Sequence, residues 1–127
     1  MVQLQTGRME FCFGVGAKMY EEVYETVKNW LNSVMIEYSD CIEFDTLDDT
    51  PDRLTVNMET AHYIAQLNVS RPDFRPYRYV ELYVLDSNKK VHAEPVFAFR
   101  DGEKDTVSDV IHGLNKGIDL ISRRNHQ

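Results

Sequence analysis

Hydrophobic and polar residues alternate along the central part of the chain. Between Leu54 and Glu59 every second residue is apolar, which is the period of a strand with one buried face. The same period recurs from Tyr63 to Ser70, from Tyr79 to Val84 and from Val91 to Phe99. The connections between these stretches are short, and short connections favour antiparallel hairpins over parallel crossovers. The pattern therefore predicts a run of antiparallel strands.

Two flanking stretches instead carry apolar residues three and four positions apart, the spacing of an amphipathic helix. The first runs from Ala17 to about Ile36, and its apolar stripe includes Trp30. The second runs from Val107 to about Ser122. Thr106 followed three residues later by Asp109 resembles a capping box at the start of this second helix.

Glycine and proline positions refine these elements. Gly113 and Gly117 lie one turn apart inside the second helix, where each costs about 1 kcal/mol relative to alanine. We therefore expect them to allow a close approach to the sheet or to the first helix. Pro95 cannot donate a ladder hydrogen bond, so its strand is predicted to be an edge strand or to carry a bulge.

A further strand is predicted from Cys41 to Thr46, followed by an acidic loop that ends at Asp52. Two amphipathic helices need a sheet face to cover, and an antiparallel sheet tolerates one solvated face. The predicted fold is therefore α+β: a two-layer sandwich of a mainly antiparallel five-stranded sheet with both helices on one face. Residues 1–127 form one domain by length, and residues 1–16 are predicted to be a flexible leader.

Charge narrows the class of partner. The chain has a formal net charge of −7, whereas a protein that binds the phosphate backbone needs a basic face. Nucleic acid is therefore disfavoured, and a basic protein partner fits better. No apolar run approaches the ~20 residues that span a bilayer, and because the N-terminus lacks an apolar h-region we expect no signal peptide. With only Cys12 and Cys41, both expected as free thiols, the sequence predicts a cytoplasmic protein without membrane contact.

The sequence contains no recognisable catalytic or cofactor-binding motif. The histidines are scattered, without a second histidine or cysteine at metal-ligand spacing: His62, His92, His112 and His126. Gly14 to Lys18 lacks the spacer of a phosphate-binding loop. We therefore predict no catalytic residue, no metal and no cofactor, and expect that the protein is not an enzyme.

Several residues are of the types enriched at protein interfaces. The acidic loop that ends at Asp52 could bind a basic partner, although its composition is equally consistent with a solvated loop that has no partner. An arginine- and aromatic-rich loop from Ser70 to Tyr79 is either a contact surface or a hairpin tip folded onto the sheet. The predicted open sheet face adds further aromatic and acidic groups. The candidate partner-binding residues are Asp48, Asp49, Phe74, Arg75, Tyr77, Tyr79, Glu81 and Tyr83.

The strand region also resembles a known family. The run YIAQLNV from Tyr63 to Val69, the run YVELYVLD from Tyr79 to Asp86 and a later VFAF from Val96 to Phe99 resemble the TriTu family of bacterial immunity proteins. In that family the corresponding strands read Y-I-x-R-L-T-V and x-x-E-L-E-V-L-D, and a tryptophan-bearing helix precedes them. Gln66 stands where the family usually has a basic residue, and the loop from Arg71 to Tyr77 is longer.

The resemblance implies an immunity protein that neutralises the effector domain of an Rhs or contact-delivered toxin. For this family the toxin is expected to be an ADP-ribosyltransferase that acts on the translation machinery. Protection would follow from a 1:1 complex in which a monomer occludes the toxin's NAD or substrate cleft. Two other classes remain open. A secretion chaperone would be of similar size and charge but would homodimerise, and a small enzyme would need a polar cleft with a perturbed acid or base.

Overall fold

A computed structural model of the chain describes residues 18–72, 77–88 and 94–122. The elements are α1 (Tyr20–Glu37), β1 (Glu43–Thr50), β2 (Arg53–Glu59), β3 (Tyr63–Ser70), β4 (Val80–Asp86), β5 (Phe97–Arg100) and α2 (Val107–Ser122). The strands form one antiparallel sheet in chain order, from β1 at one edge to β5 at the other. The α+β fold, with one helix before and one after a five-stranded antiparallel sheet, is therefore confirmed. The predicted leader lies outside the described residues.

The core consists of rows of apolar side chains that cross the sheet under the helices. Strand register places residues of β2, β3 and β4 side by side in three rows: Leu54, Val69 and Val80; Val56, Leu67 and Leu82; Met58, Ala65 and Val84. All of these side chains are at most 2% exposed. Because successive residues of a strand point to opposite faces, this burial leaves the alternate positions on the other face.

Helix α1 covers these rows with the stripe that its sequence predicted, since Val23, Val27 and Leu31 are at most 3% exposed. Trp30 lies at the margin of this stripe and is only partly buried. Its indole Nε1 donates a hydrogen bond to the Asn115 side-chain oxygen at 2.7 Å. The tryptophan therefore joins α1 to α2 instead of filling the centre of the core.

Helix α2 approaches the sheet closely at its two glycines. A Cβ at Gly113 would collide with the ring of Phe99, and one at Gly117 would collide with Leu82. The prediction of a close approach is therefore confirmed, with the sheet as the neighbour. The capping box is also confirmed, since the Thr106 N–H donates to the Asp109 carboxylate at 2.9 Å and the Asp109 N–H donates to the Thr106 hydroxyl at 3.1 Å.

The predicted acidic loop is wrong, because β1 continues to Thr50. The register shifts between Thr46 and Asp48, so that Leu47 forms an irregularity in the pairing with β2. Seven of the eight residues of this edge strand are exposed. A strand with two wet faces has no alternation of apolar and polar residues, which is why the pattern suggested a loop.

Strand β5 is shorter than its sequence predicted. It begins at Phe97, so Pro95 precedes the strand, and the predicted positions from Val91 to Ala93 lie outside the described residues. The strand pairs only with β4 within the described chain, which agrees with the predicted edge position.

A buried ion pair fixes the start of α1 to the end of β5. The Lys18 ammonium lies 3.3 Å from the Asp101 carboxylate, and these side chains are 1% and 0% exposed. Lys18 also donates to the Gly102 carbonyl at 2.7 Å. The Asp101 carboxylate accepts hydrogen bonds from the backbone N–H groups of Tyr79 and Val80. One carboxylate thus joins α1, β4 and β5.

Candidate functional site

The side chains that point away from the helices form one surface, which we call the open face. They occupy the strand positions that alternate with the buried rows. Its members include Glu43, Asp45 and Asp48 of β1, Arg53, Thr55, Asn57 and Glu59 of β2, Ile64, Gln66, Asn68 and Ser70 of β3, Glu81, Tyr83 and Leu85 of β4, and Ala98 and Arg100 of β5.

The centre of the open face carries a chain of hydrogen-bonded amides. The Gln66 amide nitrogen donates to the Asn57 oxygen at 2.8 Å, and the Asn68 nitrogen donates to the Gln66 oxygen at 2.9 Å. The Thr55 hydroxyl donates to the Asn68 oxygen at 3.0 Å. These contacts hold four polar side chains in fixed positions without a net charge. A partner that binds here meets groups that are already ordered, which lowers the entropy lost on association.

An aromatic and charged cluster lies beside the amides on β4 and β5. Arg100 Nε donates to the Tyr83 hydroxyl at 2.6 Å and lies 3.5 Å from the Glu81 carboxylate. Its guanidinium carbon is 5.3 Å from the centre of the Tyr83 ring. The hydrogen bond with Tyr83 raises the pKa of Arg100, so the group stays charged. Tyrosine and arginine are the residue types most often found to anchor protein interfaces.

Two exposed aliphatic side chains adjoin this cluster. Ile64 and Leu85 are direct cross-strand partners on β3 and β4, with 44% and 37% of their surface exposed. One exposed apolar side chain is ordinary on a protein surface. An adjacent pair beside Tyr83 forms an apolar strip, and such strips rimmed by polar groups are typical of protein-binding surfaces.

The border of the open face at β1 is acidic. Glu43, Asp45 and Asp48 lie along β1, and Glu59 lies opposite Glu43 on β2. Within the described residues, none of these four carboxylates forms an ion pair. The unpaired carboxylates of this face are therefore concentrated at its β1 border, whereas Glu81 on β4 is paired with Arg100 of β5.

The structure separates the two predicted aspartates. Asp48 lies on the open face, whereas Asp49 points to the helix layer and accepts hydrogen bonds from Lys28 at 2.7 Å and from the Tyr24 hydroxyl at 3.1 Å. The hydrogen bond from Lys28 lowers the pKa of Asp49. The expectation that the two side chains act together in an acidic loop is wrong, because consecutive residues of a strand point to opposite faces.

The predicted aromatic surface is also only partly present. Glu81 and Tyr83 lie on the open face as expected, but Tyr79 is 8% exposed. Tyr79 precedes β4 by one residue, and its ring packs edge-on against Tyr20 of α1 with 5.8 Å between the ring centres. Burial raises the pKa of the Tyr79 hydroxyl. The placement of Tyr79 on the open face is therefore wrong.

The three remaining candidates belong to the connection between β3 and β4. Tyr77 is half-buried in this connection. Phe74 and Arg75 lie outside the described residues, so their role stays a prediction.

Sequence reasoning missed the amides and the apolar pair. Asn57, Gln66 and Asn68 occupy the polar positions of the strand alternation, where lysine or glutamate is the common choice. The occurrence of three amides at such positions in neighbouring strands was the sequence signal that could have indicated this polar surface. Ile64 and Leu85 break the alternation by placing apolar residues at outward positions, which was a second signal.

Metal ligands do not cluster in the part of the chain that the structure describes: no group of three histidine, cysteine, aspartate or glutamate side chains is placed to hold an ion. In the same residues, neither helix is long and apolar enough to cross a bilayer. The absence of a metal or cofactor from the purified protein stays a prediction.

Comparison of the chain with known protein families, with curated proteins and with solved structures finds no match in any of the three.

Proposed function

We propose that this protein is an immunity protein that binds a bacterial toxin domain through the open face and blocks its active site. The observation that carries the proposal is the combination of half-buried Tyr83 and exposed Ile64 and Leu85 with an ordered amide chain on one sheet face. A sheet needs only polar side chains on its solvated face to be stable. Side chains of interface type held in fixed positions on that face support binding to another protein.

Different groups on this face would make different contributions to binding. Tyr83 and the apolar pair would supply buried contact area, and such anchors carry most of the binding energy of an interface. The ordered amides would satisfy polar groups of the partner at a low entropic cost. The acidic β1 border would steer a basic partner, an effect on the association rate that salt weakens.

The class of partner rests on the resemblance to the TriTu family. It points to an ADP-ribosyltransferase domain of an Rhs or contact-delivered toxin, neutralised in the cytoplasm by a monomer in a 1:1 complex. Protection by occlusion requires no cofactor and no catalytic group in the inhibitor. The net charge of −7 is suited to a basic toxin surface.

Co-expression with a candidate toxin domain from a neighbouring gene tests the proposal. We expect cells to survive with the wild-type protein, and a 1:1 complex to elute in size-exclusion chromatography. Tyr83→Ala should weaken the complex mainly through faster dissociation. Tyr24→Ala is the matched control, since Tyr24 is also half-buried but lies on the helix side. If the wild type neither protects nor binds, the immunity proposal is wrong.

The acidic border gives a second comparison. Asp48→Asn should slow association at low salt, with less effect at high salt. Asp49→Asn should have a weaker effect on association, because Asp49 is already paired with Lys28 on the other face. Equal effects of the two substitutions would show that the β1 border does not orient the partner. A homodimer that binds unfolded chains would instead favour the chaperone alternative.

A further inference from the structure

A groove of about 640 Å³ opens at one corner of the sheet, where α1 ends and β1 begins. Residues of the helix side contribute to its lining, with Met35 from α1, Phe44 from β1 and Met58 from β2. Ile64 also lines it, which makes the groove continuous with the apolar strip of the open face. A partner that covers the open face therefore also reaches this corner.

The same groove has carboxylates among its lining residues. Glu43, Asp45 and Glu59 belong to the lining, and among the described lining residues there is no lysine or arginine. Glu43 and Glu59 are direct cross-strand partners. Like charges placed directly opposite each other on paired strands destabilise a sheet, so this arrangement costs stability in the free protein. A cation in the groove would remove that repulsion.

We propose that this groove receives a lysine or arginine side chain of the protein partner. This proposal rests on the proposed function, and it specifies the type of side chain with which the partner binds the groove. Basic side chains lay their aliphatic stems along apolar surface and keep the charged head among polar groups. Ile64, the exposed cross-strand partner of Glu59, provides apolar surface for the stem, and the Glu43 and Glu59 carboxylates on the same face provide acceptors for the head. A guanidinium fits such acceptors best because its donors form a planar fork.

A bare divalent ion suits the groove less well than a basic side chain. The described residues contain no group of three histidine, cysteine, aspartate or glutamate side chains placed to hold an ion. A metal ion also makes no use of the apolar surface of Ile64, whereas the stem of a basic side chain does. Charge and shape together therefore select an occupant with an apolar stem and a cationic end.

The first test uses a small probe and does not need the toxin. The amide N–H signals of the free protein are followed by NMR during titration with Nα-acetyl-argininamide, and in parallel with the citrulline analogue, which has nearly the same shape and no charge. We expect saturable shifts centred on Glu43, Phe44, Asp45 and Glu59 with the arginine probe and none with citrulline. Equal responses to both probes, or shifts spread evenly over all surface carboxylates, would overturn the proposal.

A pair of variants separates binding from folding. Glu59→Gln should weaken arginine-probe binding at least about fivefold, the loss of one charge-assisted contact. Its melting temperature should stay the same or rise, because the repulsion with Glu43 is relieved. Glu103→Gln, an exposed carboxylate in the turn before α2, should change neither quantity.

Unchanged probe affinity in Glu59→Gln would overturn the proposed anchor even if the toxin complex forms as expected. Conversely, specific arginine binding together with no toxin complex would retain the groove and reject the immunity function. The two proposals therefore fail in distinguishable ways.

Discussion

Replacing Asp101 with alanine should destabilise the protein more than any surface substitution. The carboxylate is fully buried, pairs with the Lys18 ammonium at 3.3 Å and accepts from two backbone N–H groups. Asp101→Ala leaves the ammonium buried with the Gly102 carbonyl as its one remaining acceptor among the described residues, and it leaves the N–H groups of Tyr79 and Val80 without their carboxylate partner.

The size of the loss follows from these contacts. Removing one partner of a buried ion pair costs about 3–5 kcal/mol. Each buried donor left unsatisfied costs about 1–3 kcal/mol, but this cost overlaps with the first and does not add in full. We therefore expect about 3–5 kcal/mol, a large part of the roughly 5–15 kcal/mol that keeps a domain folded. For a chain of this length, that corresponds to a melting temperature lower by about 10–20 °C.

Thermal and urea unfolding followed by circular dichroism measure the effect. Lys18→Met should cost less, because the Asp101 carboxylate keeps its two backbone donors. Asp52→Ala is the matched control, since its carboxylate is 75% exposed and pairs with Arg71 at the surface. If Asp101→Ala unfolds at the same temperature as Asp52→Ala, then the buried pair does not hold α1 to the end of the sheet.

Three further substitutions test the packing of the helices, each by the free energy of unfolding. Gly113→Ala should destabilise by about 1–3 kcal/mol despite the better helix propensity of alanine, because its Cβ meets Phe99, whereas Ser108→Ala on the exposed side should not. Thr106→Ala should cost about 1 kcal/mol by removing the cap, and a loss near zero would show that the cap is not formed. Trp30→Ala should cost less than the ~3–5 kcal/mol of a fully buried aromatic, because this side chain is only partly buried.

The fold was predictable where burial imposes a period. Val56, Leu67 and Leu82 occupy one row of the core, and each belongs to a strand whose alternation indicated its inward face. The bounds of α2 were also predictable, because Thr106 marks its start and its apolar stripe ends with the helix. Local sequence and tertiary packing agree in these elements.

The features of the fold and of the open face that the sequence did not predict depend on contacts between residues that are distant in the chain. The extension of β1 to Thr50 is decided by its pairing with β2, because its own side chains are exposed on both faces. Tyr79 is buried by Tyr20 and held by Asp101, and neither contact can be inferred from the alternation around β4. The open face required the register of four strand pairs before its amides could be placed together.

The most direct test of the open face is the affinity of two matched variants of the purified protein for the proposed toxin partner. Leu85→Arg places a charge on the open face, and Ile36→Arg places the same charge on α1, where the side chain is 80% exposed. Calorimetry should show Leu85→Arg weakening the complex at least about 30-fold, as expected for a central anchor, with Ile36→Arg close to wild type. Wild-type affinity in a folded Leu85→Arg variant would contradict the account.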